Sequence, residues 1–450
     1  MSTTTSTSVQ LTSSAGWSSN RPSGTTTHRT KPAPAVLRTE DDVLAASLAV
    51  DSAAPDGGYG WAIVLSGCVL MWWGVGTTYA WGVIQRTLVQ DALAGPAVLS
   101  FIGSLQAAMV SLCATSNAWL LQYLGARRTA LTGVALMGGC EILSSFTTGN
   151  LGGLFVTAGV LFGLGSRQVI TAIPAQYFSR KRGLANGLIF AGSGLGGAAI
   201  SFALNPLIEK VGLAMAYRVL GIATLATGLP AAWIMKERSS LPRRKFIEWK
   251  LFKSANFVLV CAATAVGTFP LYVPPFFLPL YANSLGFSSA TGAGLVAGFT
   301  LSSAAGRVLC GHLCDLMGAL NVLLTSLVLT AVSMLAIWPA STTLAPLALF
   351  VVINGLSNGG FFCTMPTVAS NVFGSARVGA VMSIIITGWI GGYLMGAPIA
   401  GYLLEAYGGA EKGLVAYRPA MLYGGSLSLV SAFLVLMVRI RVNKKVFVKV

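Results

Sequence analysis

The sequence predicts an all-α membrane protein of twelve transmembrane helices, arranged as two pseudo-symmetric six-helix bundles. Of its 450 residues, 54% are hydrophobic and 9% are charged, which is too little charge to cover the surface of a soluble protein of this length. Apolar segments of about 20 residues, the length that crosses a bilayer, recur along the chain. A basic stretch at 236–255 separates six such segments from six more.

Equal numbers of predicted spans precede and follow that basic stretch. Those of the first half lie at 61–83, 97–123, 129–148, 152–177, 184–206 and 213–235. Those of the second half lie at 256–281, 290–313, 319–339, 344–368, 379–403 and 417–438. The predicted domains are therefore an N-terminal tail (1–55), a first bundle (56–235), a linker (236–255), a second bundle (256–438) and a C-terminal tail (439–450).

The N-terminal tail has its own composition. Ser and Thr crowd its first half, and no apolar run interrupts them. This pattern is typical of a disordered segment and lacks the apolar core of a secretory signal.

The net charge of +16 could suggest a nucleic-acid partner. However, the cations lie between the spans rather than on one face of a soluble domain, which excludes that interpretation. Twenty-two Lys and Arg residues fall on the side of the two termini, and four fall on the opposite side. This asymmetry predicts that both termini and the linker are cytoplasmic, with the cell membrane as the expected location.

Short patterns recur in the same order in the two halves. Ala216-Tyr217-Arg218 returns as Ala416-Tyr417-Arg418, and the pair Phe178 and Arg182 returns as Phe373 and Arg377. The third match is a similarity between the loop sequence after the second span and the loop sequence after the eighth span. Three matches at a nearly constant separation indicate a duplicated six-helix unit.

The third match resembles the loop signature of the major facilitator superfamily, G-x-x-x-D-R-x-G-x-R-R. The residues that carry it are Gly125, Arg127 and Arg128 in the first half, and Gly311, Asp315 and Gly318 in the second. The resemblance implies a secondary transporter of the major facilitator fold that works by alternating access. These loop residues are then expected to act in gating.

Two further stretches resemble the monocarboxylate porter family, and the tails are similar to those of its fungal members. Residues 56–61 (DGGYGW) match its first signature, and 177–187 (YFSRKRGLANG) match its second. The second contains the basic triplet Arg180, Lys181 and Arg182, which is expected to set topology and to clamp the cytoplasmic gate. The resemblance implies a small organic anion such as a monocarboxylate as cargo, no cofactor, and the lipid bilayer as surroundings. We expect a monomer.

Arg307 is the foremost candidate for binding that cargo. It lies midway through the eighth span, where a charge is costly and usually functional, and its planar guanidinium suits a carboxylate. It also matches the family's eighth-span arginine, which by resemblance contacts the substrate carboxylate. The alternative is a structural pairing with a helix carbonyl or a nearby acid. Tyr79 and Tyr272 are further candidate contacts.

The sequence departs from the family's proton-linked lactate carriers at two positions. Those carriers place an aspartate four residues before the arginine and a lysine after a Tyr-Ala pair in the first span. Here Ser303 replaces the aspartate, and Trp81 follows Tyr79-Ala80. The departures favour a second hypothesis, efflux of an apolar secondary metabolite. A non-transporting nutrient sensor is a third hypothesis.

Glu141 and Arg167 form a second candidate charge system within the predicted spans. The two could pair across adjacent helices, or Glu141 could carry a coupling proton while Arg167 contacts the substrate. Both alternatives stay open at this stage.

Proline and glycine patterns predict where helices break or approach closely. Pro270, Pro274, Pro275 and Pro279 predict a broken seventh span and a gate there. The glycine-rich stretches 192–197 and 387–396 predict close helix packing.

The sequence predicts neither a metal site nor an enzyme. Cys310, His312, Cys314 and Asp315 lie close together but lack the ligand spacing of zinc sites. With His28 as the remaining histidine, no Ser-His-Asp or Cys-His arrangement forms.

Overall fold

The computed structural model describes residues 55–166, 173, 176–178, 181–238, 249–374 and 378–443. Regular structure in these ranges is helical. The main helices are α1 (Gly60–Gln90), α2 (Pro96–Leu112), α3 (Ala114–Leu124), α4 (Ala126–Ser144), α5 (Leu151–Gly165), α6 (Arg182–Ile234), α7 (Ala255–Gly267), α8 (Val273–Ser284), α9 (Ser289–Met317), α10 (Ala319–Ile337), α11 (Leu344–Phe373), α12 (Val378–Gly388), α13 (Ile390–Ala406) and α14 (Leu414–Val442). Within them, Phe155–Leu161 and Ser333–Ile337 are π-helical.

Several predicted features lie outside the described residues. They are the tail 1–54, Arg167, Arg180, most of the linker, and residues 444–450. The backbone of Arg182 and Asp315 is described, but their side chains are not.

The described part of the chain contains seven helical segments that are long and apolar enough to cross a bilayer. An eighth results if α2 and α3, which are bent by 49° relative to each other, form one broken span. Two shorter apolar helices, α5 and α7, fall below that length. The predicted total of twelve spans and the predicted domain limits therefore stay predictions.

Helix α6 covers two predicted spans, 184–206 and 213–235. Gly212 lies between them with φ 81° and ψ 165°, so the chain leaves helical geometry at this one residue. A residue with a Cβ rarely adopts such a positive φ, whereas glycine does so readily. The junction of the two predicted spans thus coincides with Gly212.

The seventh predicted span is broken, as the prolines predict. Helix α7 ends at Gly267, and α8 begins at Val273. Pro274 and Pro275 occupy the first turn of α8, where a missing N–H removes no helical hydrogen bond. Tyr272 is the N-cap residue of α8, directly before its first helical residue.

Helix α6 packs between α1 and α9 through glycines. A Cβ at Gly196 would collide with the backbone of Trp72 in α1, and one at Gly194 would collide with the backbone of Ala304 in α9. In the second predicted stretch, Gly392 and Gly396 meet the backbone of Phe269, whereas Gly388 and Gly391 face open space. The expected close packing therefore occurs throughout the first stretch and in part of the second.

Candidate functional site

A cavity with about 650 Å³ of space between atoms, part of it open to solvent, lies among helices from both halves of the chain. Among the described residues its wall is mostly apolar and aromatic, with one charged group. It is lined by Met71, Gly74, Val75, Thr78, Ala107, Val110, Phe190, Tyr272, Arg307, Phe362, Met382, Ile386, Trp389 and Tyr393.

Arg307 supplies that charge and is only 1% exposed. Its Nη1 donates to the carbonyl oxygen of Phe190 (2.5 Å), and its Nη2 donates to the hydroxyl of Tyr79 (3.1 Å). Its Nε has no hydrogen-bond partner among the described residues, and no carboxylate among them forms an ion pair with it. A buried guanidinium in this state is stabilised by any anion that reaches it.

The hydroxyl of Tyr79 connects Arg307 to a second polar side chain. Tyr79 is fully buried, and its hydroxyl donates to Oδ1 of Asn358 in α11 at 3.0 Å. Asn358 in turn donates to the carbonyl oxygen of Leu271, in the break before α8, at 3.2 Å. The network therefore holds Arg307 against α1, α11 and the broken seventh span.

Ser303 lies one helical turn before Arg307 and also belongs to this network. Its hydroxyl donates to Oδ1 of Asn358 at 3.3 Å, and the residue is fully buried. Ser303 is neutral, so it leaves the charge of Arg307 uncompensated. Sequence reasoning did not single out Asn358, although an amide within the predicted span 344–368 was a signal that could have found it.

Aromatic rings form another part of the wall. The ring centroid of Tyr272 lies 5.4 Å from those of both Tyr79 and Tyr393. Phe362 lies 5.3 Å from the guanidinium carbon of Arg307, a cation–π distance. Trp389 adds an indole whose Nε1 is buried without a hydrogen-bond partner in the described part of the chain. Tyr272 was predicted to line the site, whereas Phe362, Trp389 and Tyr393 were not.

Glu141 lies in α4 outside the lining of this cavity. It is 2% exposed, and its Oε2 accepts a hydrogen bond from the hydroxyl of Thr224 in α6 at 2.7 Å. Its Oε1 has no partner among the residues that the structure describes. The expected partner Arg167 lies outside those residues, so their pairing stays a prediction.

The two signature stretches of the first half contact each other. The backbone N–H of Asp56 donates to the carbonyl oxygen of Tyr177 at 2.9 Å. The hydroxyl of Tyr59 donates to the carbonyl oxygen of Ile234 (2.7 Å), and that of Tyr177 donates to the carbonyl oxygen of Lys236 (3.0 Å). Both signatures are thereby fastened to the end of α6. Lys181 follows at the start of α6 and is exposed.

The loop signature adopts the same backbone corner in both halves. Gly125 (φ 78°) joins α3 to α4, and Gly318 (φ 87°) joins α9 to α10. Arg127 lies over the ring of Trp233 at 5.0 Å. Arg128 is exposed, and Gly311 is buried within α9.

Comparison with known proteins agrees with this architecture. The model of the Major Facilitator Superfamily matches residues 61–297 and 275–449. The Aspyridones efflux protein apdF of Emericella nidulans is 28% identical over 83% of this chain and 78% of its own length. The Agnestins efflux protein of Paecilomyces divaricatus is 27% identical over 83% and 86%. Monocarboxylate transporter 10 of Danio rerio is 26% identical over 83% and 78%.

The solved structure of the nucleoside transporter NupG superposes with a TM-score of 0.65. It covers 85% of this chain and 100% of that one at 14% sequence identity, so this likeness concerns the fold alone. The family match, the helical fold and the apolar helices together identify an integral, multi-pass membrane protein. The chain belongs to the Major Facilitator Superfamily and is a membrane transporter of that family.

Proposed function

We propose that this transporter moves an organic anion with a large apolar body across the cell membrane by alternating access between two six-helix bundles. The observation that carries the proposal is Arg307, a buried cation in the wall of a mostly apolar cavity. Two of its nitrogens are held by Phe190 and Tyr79, while its Nε and its charge are uncompensated among the described residues. A carboxylate or another acidic group of the cargo would compensate both.

The rings of the cavity support a bulky cargo. Its wall includes five aromatic side chains, those of Phe190, Tyr272, Phe362, Trp389 and Tyr393. Aromatic walls offer apolar area and stacking to a large organic body. The departures at Ser303 and Trp81 also remove the groups that the family's lactate carriers use. Two relatives named for efflux of aspyridones and agnestins support export as the direction.

Glu141 is the candidate for coupling this transport to a proton gradient. Its buried carboxyl has one free oxygen in the described part of the chain, and buried acids in membrane spans commonly carry protons. Thr224 ties it to α6, the helix that also carries Phe190. The two residues lie on opposite sides of the break at Gly212, so a change at one site would reach the other through this joint.

The test is transport by purified protein in liposomes. Each aromatic or aliphatic acid is paired with its uncharged amide, and uptake is compared for wild type and Arg307→Gln. We expect transport of the acid alone, and we expect Arg307→Gln to abolish it. Arg439→Gln is the matched control, because Arg439 is also buried but lies in the last turn of α14, outside the cavity lining, where it donates to Asn321 and Asn443. Equal transport of acid and amide would refute anion recognition and favour efflux of neutral apolar products.

A further inference from the structure

A second cavity of about 330 Å³ adjoins the first. It lies where α1 faces α4 and the end of α5. The two cavities share Met71, Gly74 and Val75 of α1, so they are neighbours along that helix. We call the second cavity the side pocket. Ala130 and Met137 of α4 line the side pocket but not the main cavity.

The side pocket lies within a molecule's length of the charged site. Tyr79, which holds Arg307, is on α1, and the α1 residues of the side pocket run from Leu70 to Val75. At 1.5 Å rise per residue, that stretch lies about 6 to 14 Å from Tyr79 along the helix axis. One elongated ligand can therefore contact both places.

The wall of the side pocket suits hydrocarbon. Among its described lining residues Ser166 carries the one polar side chain, and its hydroxyl already donates to Sδ of Met137 at 3.3 Å. The other lining residues are aliphatic, methionine or glycine. Methionine adapts its shape to an irregular apolar partner, which fits a pocket that accepts variable chains.

We propose that the side pocket is a tail subsite of the transport site. It takes the apolar chain of a substrate whose acidic head lies on Arg307, so the substrate class is an elongated amphiphilic acid. This proposal rests on the function proposed above. The adjacency of the two cavities, which share three residues, favours the substrate's own tail over a separate lipid chain.

Gly74 lies at the border of the two cavities. A Cβ at this position would lie 3.3 Å from Oγ of Ser166 and 3.7 Å from Sδ of Met137, so α1 packs closely against the wall of the side pocket here. A larger side chain would therefore press on Ser166 and Met137 and change the shape of the side pocket.

The experiment measures equilibrium binding of butyrate, hexanoate, octanoate, decanoate and dodecanoate to purified protein in nanodiscs. For wild type we expect affinity to rise about fourfold for each methylene that enters the side pocket, the equivalent of ~0.8 kcal/mol. Ala130→Leu should bind the short acids as wild type does and lose the gain for the long ones, because Ala130 lines the side pocket and lies outside the main cavity. For Gly74→Val the ratio of long-acid to short-acid affinity is compared, because Gly74 lines both cavities, and this ratio should also fall.

The matched control is Gly139→Val in α4, where an added side chain meets open space. It should retain the full dependence on chain length. Loss of binding for the whole series in Arg307→Gln, together with length dependence in wild type, supports both proposals. If Arg307→Gln binds every acid as wild type does, the proposed function fails. If binding requires Arg307 but does not depend on chain length, as with a resident lipid chain, the tail subsite alone fails.

Discussion

The carboxylate of Glu405 accepts a hydrogen bond from the backbone N–H of Ala97 at 3.0 Å. Glu405 lies in the last turn of α13, and Ala97 lies in the first turn of α2, so the bond joins the two halves of the chain. Gly401, one turn earlier, packs directly on Ala97. A negative charge at a helix N-terminus stabilises it by roughly 0.3–1 kcal/mol. We expect the bond to act as a latch at the end of the molecule predicted to face outside.

Replacing Glu405 by Gln should loosen this latch. The amide oxygen can still accept the hydrogen bond, but the favourable charge is lost. We expect the population open at this end to rise about twofold to fivefold, the equivalent of ~0.3–1 kcal/mol. The measurement is thiol labelling of Ser100→Cys, a buried residue of α2, in a cysteine-free background. Glu411→Gln, an exposed carboxylate of the following loop, is the control, and equal labelling in both variants would contradict the latch.

Arg307→Lys should weaken binding of an acidic substrate without abolishing it. Lysine keeps the charge but loses the planar fork and one of the hydrogen bonds to Phe190 and Tyr79. A hydrogen bond to a charged group contributes about 1.5–3 kcal/mol, so apparent affinity should fall roughly tenfold to a hundredfold. Initial-rate transport, normalised to protein in the membrane, checks this. Wild-type affinity in the variant would mean that Arg307 is structural.

Tyr79→Phe should weaken the same binding, because it removes the hydroxyl between Arg307 and Asn358. The phenyl ring keeps the packing on Tyr272, so the fold should persist while Arg307 loses part of its orientation. We expect affinity for the acid to fall about tenfold or more, since the lost bond involves a charged group. Tyr281→Phe is the matched control: its hydroxyl is also buried, but it donates to Ser341. An equal loss in both variants would indicate a general packing effect.

Ser303→Asp should make anion binding depend on protons. A carboxylate one turn before Arg307 would pair with it and compete with the substrate. Affinity for the acid should therefore fall at neutral pH and recover when the introduced carboxyl is protonated at lower pH. Binding titrations across pH measure this, with Ser303→Asn as the neutral control. A pH profile identical to that of the Asn variant would place Ser303 outside the influence of Arg307.

Glu141→Gln should uncouple transport from the proton gradient. Glutamine keeps the hydrogen bond from Thr224 but cannot exchange a proton. We expect accumulation against a gradient to be lost while counterflow exchange continues. Liposomes with and without an imposed pH gradient distinguish the two. Accumulation at the wild-type level would remove Glu141 from the coupling mechanism.

The sequence predicted the charged centre of the site better than its walls. Arg307 stood out because a charge within an apolar span is rare, and Tyr272 stood out beside the prolines that break the seventh span. The structure brings Tyr272 and Arg307 into the wall of one cavity, and Arg307 bonds to Tyr79, which is 228 residues away in sequence and lies outside the cavity lining. Trp389 and Phe362 carried no such signal. Aromatic residues are common in apolar spans, and the face that such a residue presents depends on packing with distant helices.

The sequence also left open how neighbouring predicted spans are connected. Apolar composition located the segments, but it could not show that 184–206 and 213–235 would form one helical run with a single break. A conventional loop would have carried polar residues and a clear boundary. Here a single glycine with a positive φ takes the place of that loop. Because glycine is common in this chain, its presence at one position does not by itself predict a break.

That single break at Gly212 has a mechanical consequence. A straight helix of 53 residues would extend about 80 Å, far more than the ~30 Å of a hydrocarbon core, so the turn at Gly212 is what returns the chain to the membrane. Phe190, whose carbonyl oxygen accepts a hydrogen bond from Arg307, lies before Gly212 in the chain. Thr224, whose hydroxyl donates a hydrogen bond to Glu141, lies after Gly212. No slack segment separates them. Helix α6 therefore consists of two stiff arms that meet at one residue, and we expect a displacement at the arginine to reach the buried acid through that single glycine rather than through a longer loop.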